Sequence, residues 1–120
     1  MTTSALDIQE REEGEVTLLS LSGQMTLDDG DLAFRRRVHD LVERGRTKIV
    51  VNLAGVTLID SAGVGMMAAK LGTVKSKGGD MRLACISGRA NRVFGMVKLL
   101  MVFETFDDEA AAVKSFAWRG

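Results

Sequence analysis

The stretch LIDSAGVG, Leu58 to Gly65, decides how this chain folds. It places Asp60 and Ser61 after an apolar run and before a segment with helical periodicity, so a strand is predicted to end and a helix to begin there. A serine at such a junction has its hydroxyl near unpaired backbone N–H groups and the positive end of the helix dipole. The same position favours a phosphate, so modification of Ser61 would turn a neutral edge into a dianionic one.

Working outward, runs of β-branched and apolar residues predict a series of strands. The first two are expected to form a hairpin at one sheet edge, with a turn at Glu13 and Gly14. The two central runs are nearly continuous in apolar residues, which is typical of strands buried on both faces. The predicted strands are 5–12, Val16 to Ser22, Lys48 to Leu53, Met81 to Ile86 and a short Val102 to Thr105.

Apolar residues at helical spacing predict a helix between each later pair of strands and one at the end of the chain. Gly45 is expected to end the first helix, Ser87 to cap the third, and Asp107 or Asp108 to cap the last. The predicted apolar faces are Phe34, Val38, Leu41 and Val42; Val64, Met67, Ala68, Leu71 and Val74; Val93, Val97, Leu100 and Met101; and Ala110, Val113 and Ala117.

The resulting element order is β-β-α-β-α-β-α-(β)-α, which belongs to the α/β class with a mixed sheet. Strands separated by helices imply parallel crossovers, with the helices packed on a mostly parallel sheet. The 120 residues contain no evident linker or repeat, so a single domain spanning 1–120 is predicted.

Charge and cysteine content narrow the function classes. Sixteen basic and sixteen acidic residues give a formal net charge of zero, which counts against nucleic-acid binding. Cys85 is the only cysteine, so no intramolecular disulfide is expected, and a place in the core is predicted for it. The N-terminus lacks the apolar part of a signal peptide, and no apolar run approaches the roughly 20 residues that span a bilayer. The sequence therefore predicts a cytoplasmic protein without membrane contact.

The residues around the decisive stretch do not form a catalytic set. Asp60 is expected to cap the helix or shape the loop, since the motif offers no second carboxylate or histidine for acid–base chemistry. The ordinary alternative for Ser61 is a helix N-cap. Gly63 and Gly65 lack the full phosphate-loop pattern and are expected to allow close entry into the helix, so no cofactor is predicted. The single histidine, His39, is expected at the surface, and no metal site is predicted.

The string KIVVNLAGVTLIDSAGVGMM, Lys48 to Met67, resembles the central segment of STAS domains, the sulphate-transporter and anti-sigma-factor-antagonist domains. In that family a hydrophobic strand is followed by a short loop, an Asp-Ser or Asp-Thr pair, a small residue, a glycine and an apolar helix. The resemblance extends to Gly23, to KGGDMRLACIS and to VFETFDDEAAAVKSF. The matching positions in the central motif are Asp60, Ser61, Ala62 and Gly63.

The resemblance implies a regulatory binding module and no enzyme. In anti-sigma factor antagonists, the form with an unphosphorylated serine binds an anti-sigma factor that is a serine kinase. The kinase phosphorylates the serine and releases the antagonist, and a phosphatase resets it. Carried over, the phosphorylated residue is Ser61, and the oligomeric state is left open, a homodimer included. The predicted partner surface comprises Asp60, Ser61, Ala62, Gly63, Thr26, Phe94 and Met96.

Two departures from the family pattern bear on the partner. Many members have Asp where Asn52 stands, and many antagonists carry a Gly-Glu-Leu-Asp type loop where this chain reads GQMT, Gly23 to Thr26. Whether Thr26 or Thr57 is a second modified site is left open. The alternatives are a STAS subunit of a signalling scaffold or transport complex without a phosphoswitch, and a small nucleotide hydrolase.

Overall fold

The computed structural model describes residues 6–26, 29–86 and 101–117, which form a mixed five-stranded sheet with helices on both faces. The strand order is β1-β2-β3-β4-β5; β1 is antiparallel to β2, and the other neighbours are parallel. The predicted α/β class with a mostly parallel sheet is therefore confirmed. The elements are β1 (Leu6–Glu13), β2 (Val16–Met25), α1 (Asp29–Glu43), β3 (Lys48–Ile59), α2 (Ser61–Ser76), β4 (Asp80–Ala84), β5 (Thr105–Phe106) and α3 (Glu109–Ala117).

The predicted edge hairpin is confirmed, and its turn contains Gly14 with a φ of 62°. The central strands are longer than predicted, because the parallel pairing of β2 and β3 continues through two bulges. Strand β3 carries an extra residue between Asn52 and Gly55 and another between Val56 and Leu58. Each inserted residue shifts the alternation of inward and outward side chains, so the hydrophobic pattern of the sequence does not predict the strand beyond it. The predicted loop before α2 therefore shrinks to one residue, Asp60.

Two hydrophobic clusters hold the layers together. The larger one lies between one face of the sheet and helices α1 and α2. The predicted apolar face of α1 supplies Phe34, Val38 and Leu41, and that of α2 supplies Met67, Leu71 and Val74. The smaller cluster packs α3 against the opposite face through Ala112, with Val113 and Phe116 partly buried. Because helices cover both faces of the sheet, the loops and helix termini meet at the ends of the parallel strands.

The C-terminal part differs from the prediction at several points. Strand β4 ends at Ala84, because Cys85 has a φ of 63° and turns out of the strand. Cys85 is half-buried beside α3, where burial raises the pKa of its thiol. Met101 is helical but 84% exposed, so it does not share a buried face. Val102 is helical too, and the last strand begins only at Thr105, after the buried Phe103.

Helix α3 begins where one of the two predicted caps places it. The Oδ1 atom of Asp108 accepts a hydrogen bond from the backbone N–H of Ala111 at 2.8 Å, so Asp108 is the cap. Ala110, predicted on the apolar face, is exposed, and Ala112 takes the buried position. The predictions for the third helix, including its cap and most of its apolar face, lie outside the described residues: Ser87, Val93, Phe94, Met96, Val97 and Leu100.

Candidate functional site at the start of helix α2

The junction between β3 and α2 is organised by Asp60. Its backbone is extended, and its Oδ1 atom accepts a hydrogen bond from the backbone N–H of Gly63 at 2.8 Å. Its carbonyl oxygen accepts the N–H of Val64 at 3.0 Å, the first bond of the helix. Asp60 is thus the N-cap, and Ser61 is the first helical residue and not the cap.

Ser61 stands at the positive end of the helix with an exposed side chain. The first turn of α2 contains no acidic residue, so among the residues of this helix start only the Asp60 cap places a carboxylate at the positive end of the dipole. Ala62 beside it is half-buried. The arrangement presents a hydroxyl that a modifying enzyme can reach at a helix end that accommodates negative charge.

Gly63 explains how the helix can start so close to the sheet. A Cβ built on Gly63 would meet the carbonyl oxygen of Met25, at the end of β2, and would lie 2.9 Å from Cγ1 of Ile59. The same Met25 carbonyl accepts the N–H of Asp60 at 3.4 Å. The expected close helix entry therefore holds for Gly63. It is wrong for Gly65, which is exposed and would have open space around a Cβ.

The ends of β2 and β3, which pair just before α2 begins, carry two threonines and an exposed leucine. The Oγ1 of Thr57 donates a hydrogen bond to the carbonyl of Gly23 at 3.2 Å, and Thr26 is half-buried just after β2. Leu58 is 43% exposed, next to the fully packed Ile59. Sequence reasoning did not single out Leu58, although alternation along a strand reaching Ile59 would have turned it outward. The remaining predicted contact residues, Phe94 and Met96, lie outside the described part of the chain.

A second polar group, absent from the predictions, joins α3 to three strands. The Oε2 atom of Glu109 accepts a hydrogen bond from Nδ2 of Asn52 at 2.7 Å and one from Ser20 at 3.4 Å, and its Oε1 contacts Arg11 at 2.9 Å. Asn52 also accepts the N–H of Ala54 through Oδ1 at 2.8 Å, inside the first bulge. The hydrogen bond from Asn52, aided by Arg11, lowers the pKa of Glu109.

Many members of the family have Asp at the position of Asn52, and the contact with Glu109 predicts what Asp would do here. In Asn52→Asp the bond to Ala54 survives, but two carboxylates face each other where the wild type has a donor and an acceptor. We expect a loss of roughly 1–3 kcal/mol in unfolding free energy at neutral pH, measured by urea titration. The loss should shrink as pH falls, because repulsion raises the pKa of the carboxylate pair in the folded state, and stability tied to a raised pKa is present at low pH and lost as pH rises.

The contribution of Glu109 to the unfolding free energy of the wild type should show the opposite dependence on pH, and this dependence is the control. Since the folded-state pKa of Glu109 is lowered, its contribution is present above the unfolded pKa and is lost as pH falls through the folded value. Adding Glu109→Gln to Asn52→Asp should restore most of the stability at neutral pH. An Asn52→Asp protein as stable as the wild type at neutral pH would show that the contact does not hold α3 in place.

The remaining chemistry-bearing residues do not extend the site. The imidazole of His39 is exposed and lies 3.3 Å from Glu43 one turn along α1, as expected for a surface histidine. Within residues 6–26, 29–86 and 101–117, no three His, Cys, Asp or Glu side chains are grouped so that they could hold a metal ion. None of the helices in these ranges is long and apolar enough to cross a membrane.

Comparison with known proteins identifies the family to which this fold belongs. The model of the STAS domain family matches residues 7–112. The chain belongs to the STAS domain family. The anti-sigma F factor antagonist of Paenibacillus polymyxa is 24% identical over 109 residues, covering 90% of this chain and 92% of that protein.

Solved STAS structures share the fold at low identity. An anti-sigma factor antagonist from Mycobacterium paratuberculosis superposes with a TM-score of 0.76 at 17% identity, covering 94% of this chain and 97% of that one. The phosphorylated form of the Bacillus cell fate determinant SpoIIAA gives a TM-score of 0.68 at 20% identity, covering 92% of this chain and 99% of that one. These likenesses establish the fold of this STAS domain.

Proposed function

We propose that this STAS protein is an anti-sigma factor antagonist whose binding to a partner is controlled by phosphorylation of Ser61. The unphosphorylated form binds an anti-sigma factor that is a serine kinase, phosphorylation by that kinase releases it, and a phosphatase restores the binding form. The observation that carries the proposal is the exposed hydroxyl of Ser61 at the first position of α2, with the N-cap role already filled by Asp60. Ser61 is thus not needed to cap the helix.

The site suits a binding module better than an enzyme. Asp60 uses its carboxylate on the N–H of Gly63, and the end of β3 that leads to it carries the hydroxyl of Thr57 and the exposed Leu58, neither of which supplies acid–base chemistry. The proposed partner surface consists of Asp60, Ser61, Ala62 and Thr26, with Gly63 contributing through its close packing, and it includes Phe94 and Met96 from the sequence prediction. We place the protein in the cytoplasm as a single STAS domain.

Support also comes from the relatives, each at low identity. One curated relative is an anti-sigma F factor antagonist, and one structural neighbour is known in a phosphorylated form. A phosphate on Ser61 would lie at the N-terminus of α2, where backbone N–H groups and the dipole accommodate it, so the fold should persist after modification. The charge, and not an unfolded segment, would then be what the partner distinguishes.

The deciding experiment is a quantitative pull-down from native lysate with Ser61→Ala and Ser61→Asp as baits, with retained proteins identified by mass. We expect a serine-kinase-like protein to be held by the Ala form and lost from the Asp form. Ser76→Asp is the matched control, because it adds the same charge to an exposed serine at the other end of the same helix. It should retain the partner.

The competing function predicts a different pattern. A STAS subunit of a signalling scaffold or a transport complex would use Ser61 as an ordinary contact residue. Equal retention of one set of proteins by the Ala and Asp baits would therefore support the scaffold and contradict the phosphoswitch. Loss of the partner from Ser76→Asp as well would show that added charge anywhere on α2 disturbs binding.

A further inference from the structure

A cleft of about 510 Å³ opens at the end of the sheet opposite Ser61, where β3 and β4 begin and α2 ends. Its volume falls within the range of small-molecule sites, roughly 300–1,000 Å³. The turn at Gly78 and Gly79 forms one wall of the cleft. Gly79 packs so closely on Thr47 that an added Cβ would meet the Thr47 carbonyl. The side chains that line the cleft are Lys48, Lys75, Asp80, Arg82, Ser115 and Phe116.

Arg82 is held in one orientation at the centre of this lining. Its Nε lies 2.9 Å from Oδ2 of Asp80, and its Nη1 donates to Oγ of Ser115 at 2.6 Å. Its guanidinium carbon lies 4.0 Å from the ring centroid of Phe116. The exposed Glu104 adds a contact to Nε at 3.3 Å. Asp80 is the only carboxylate among the described residues that line the cleft, and its pairing with Arg82 weakens its repulsion of an incoming anion, although Arg82 also serves Glu104.

The two lysines remain available for a ligand. Nζ of Lys48 lies 3.0 Å from Glu15, whose side chain is 81% exposed while that of Lys48 is 25% exposed. Because the carboxylate of this pair is open to solvent, the pair is weak and a ligand can compete for the ammonium group. Within the described ranges Lys75 makes no ion pair. At the end of α2 the Val74 carbonyl accepts the N–H groups of Lys77 and Gly79, and the Lys75 carbonyl accepts that of Gly78, which limits the repulsion of an anion by these two carbonyls.

We propose that this cleft binds a small organic phosphate, with the ammonium groups of Lys48 and Lys75 on the phosphate and an apolar ring of the ligand against Phe116. Two ammonium donors suit a phosphate. The Arg82 guanidinium covers one face of the Phe116 ring, and the part of the ring that lines the cleft provides the apolar contact that an inorganic anion cannot use. The site lies at the far end of α2 from Ser61, so this proposal stands independently of the phosphoswitch.

The test is an amide chemical-shift titration of the ¹⁵N-labelled protein with phenyl phosphate. We expect saturable shifts at Lys75, Gly79, Asp80 and Phe116, and weaker binding of inorganic phosphate because it lacks the ring. Lys75→Ala and Lys48→Ala should each weaken phenyl phosphate about tenfold, since each removes one charged hydrogen bond. Ser61→Asp should leave the titration unchanged.

Lys70→Ala provides the matched control. It removes the same charge from the same helix at a position that does not line the cleft, and it should bind phenyl phosphate like the wild type. Unsaturated, diffuse shifts in the wild type would overturn the proposal. An equal loss of affinity in Lys70→Ala and Lys75→Ala would do the same, because it would indicate general charge attraction. Equal affinity for inorganic and phenyl phosphate would remove the role of Phe116 and contradict the proposed ligand class.

Discussion

Gly63→Ala should lower the free energy of unfolding by about 2 kcal/mol or more, the middle to upper part of the range for overpacking. The added methyl would meet the carbonyl oxygen of Met25 and the side chain of Ile59. A backbone carbonyl at the end of a paired strand cannot rotate away like a flexible side chain, so α2 would have to move off the sheet. The better helix propensity of alanine, up to about 1 kcal/mol, works against this loss and does not cancel it. Urea unfolding measures the difference.

Gly65→Ala is the control that the chain itself offers. The residue lies two positions further along the same helix, is exposed, and would have nothing within 4 Å of an added Cβ. Here alanine should raise the unfolding free energy by about 0.5–1 kcal/mol, because glycine in a helix carries an entropic cost. Effects of the same sign at both positions would show that propensity, and not the close approach of α2 to β2, governs this junction.

Ser61→Asp should weaken binding of the proposed kinase partner by about 10²- to 10³-fold, which corresponds to a few kcal/mol. A partner packed on the start of α2 would have to bury the new carboxylate beside Asp60, at a cost in repulsion and desolvation. Titration calorimetry with the purified partner measures this change. Tight binding by a folded Ser61→Asp protein would rule out the mechanism.

The same substitution should leave the domain folded. Ser61 is exposed, and the first turn of α2 has no acidic residue, so the added charge should stabilise the helix start by roughly 0.3–1 kcal/mol. A thermal unfolding midpoint equal to or slightly above that of the wild type is expected. A lower midpoint would mean that reduced affinity reflects damage to the domain, and Ser76→Asp provides the comparison at the opposite end of the helix.

The sequence correctly predicts those parts of the fold that depend on residues close together in the chain. The turn at Gly14, the start of α2 and the faces of α1 and α2 follow from glycine conformation, capping preference and helical spacing. The length of β3 could not be read this way, because two bulges change its alternation and only pairing with β2 sustains it. The resemblance to STAS domains supplied Ser61 as the candidate site, which composition and periodicity would have left as an ordinary serine.

Contacts between distant residues account for the rest. Asn52 and Glu109 are 57 positions apart, and neither has a sequence environment that indicates the other. Gly63 and Gly65 look equivalent in the sequence and differ only because one of them faces Met25. The left-handed backbone of Cys85 ends β4 at Ala84, whereas the apolar run in the sequence predicts a longer strand there.

The capped, closely packed start of α2 has a consequence for substrate recognition. Ser61 is held in a helical turn by the Asp60 cap and by the contact of Gly63 with β2, so it is not presented as an extended peptide. An enzyme that modifies it must accommodate a folded helix terminus, and the geometry it reads exists only in the assembled domain. A short synthetic peptide with the DSAG sequence should therefore be a poor substrate, and phosphorylation would report on the folded domain alone.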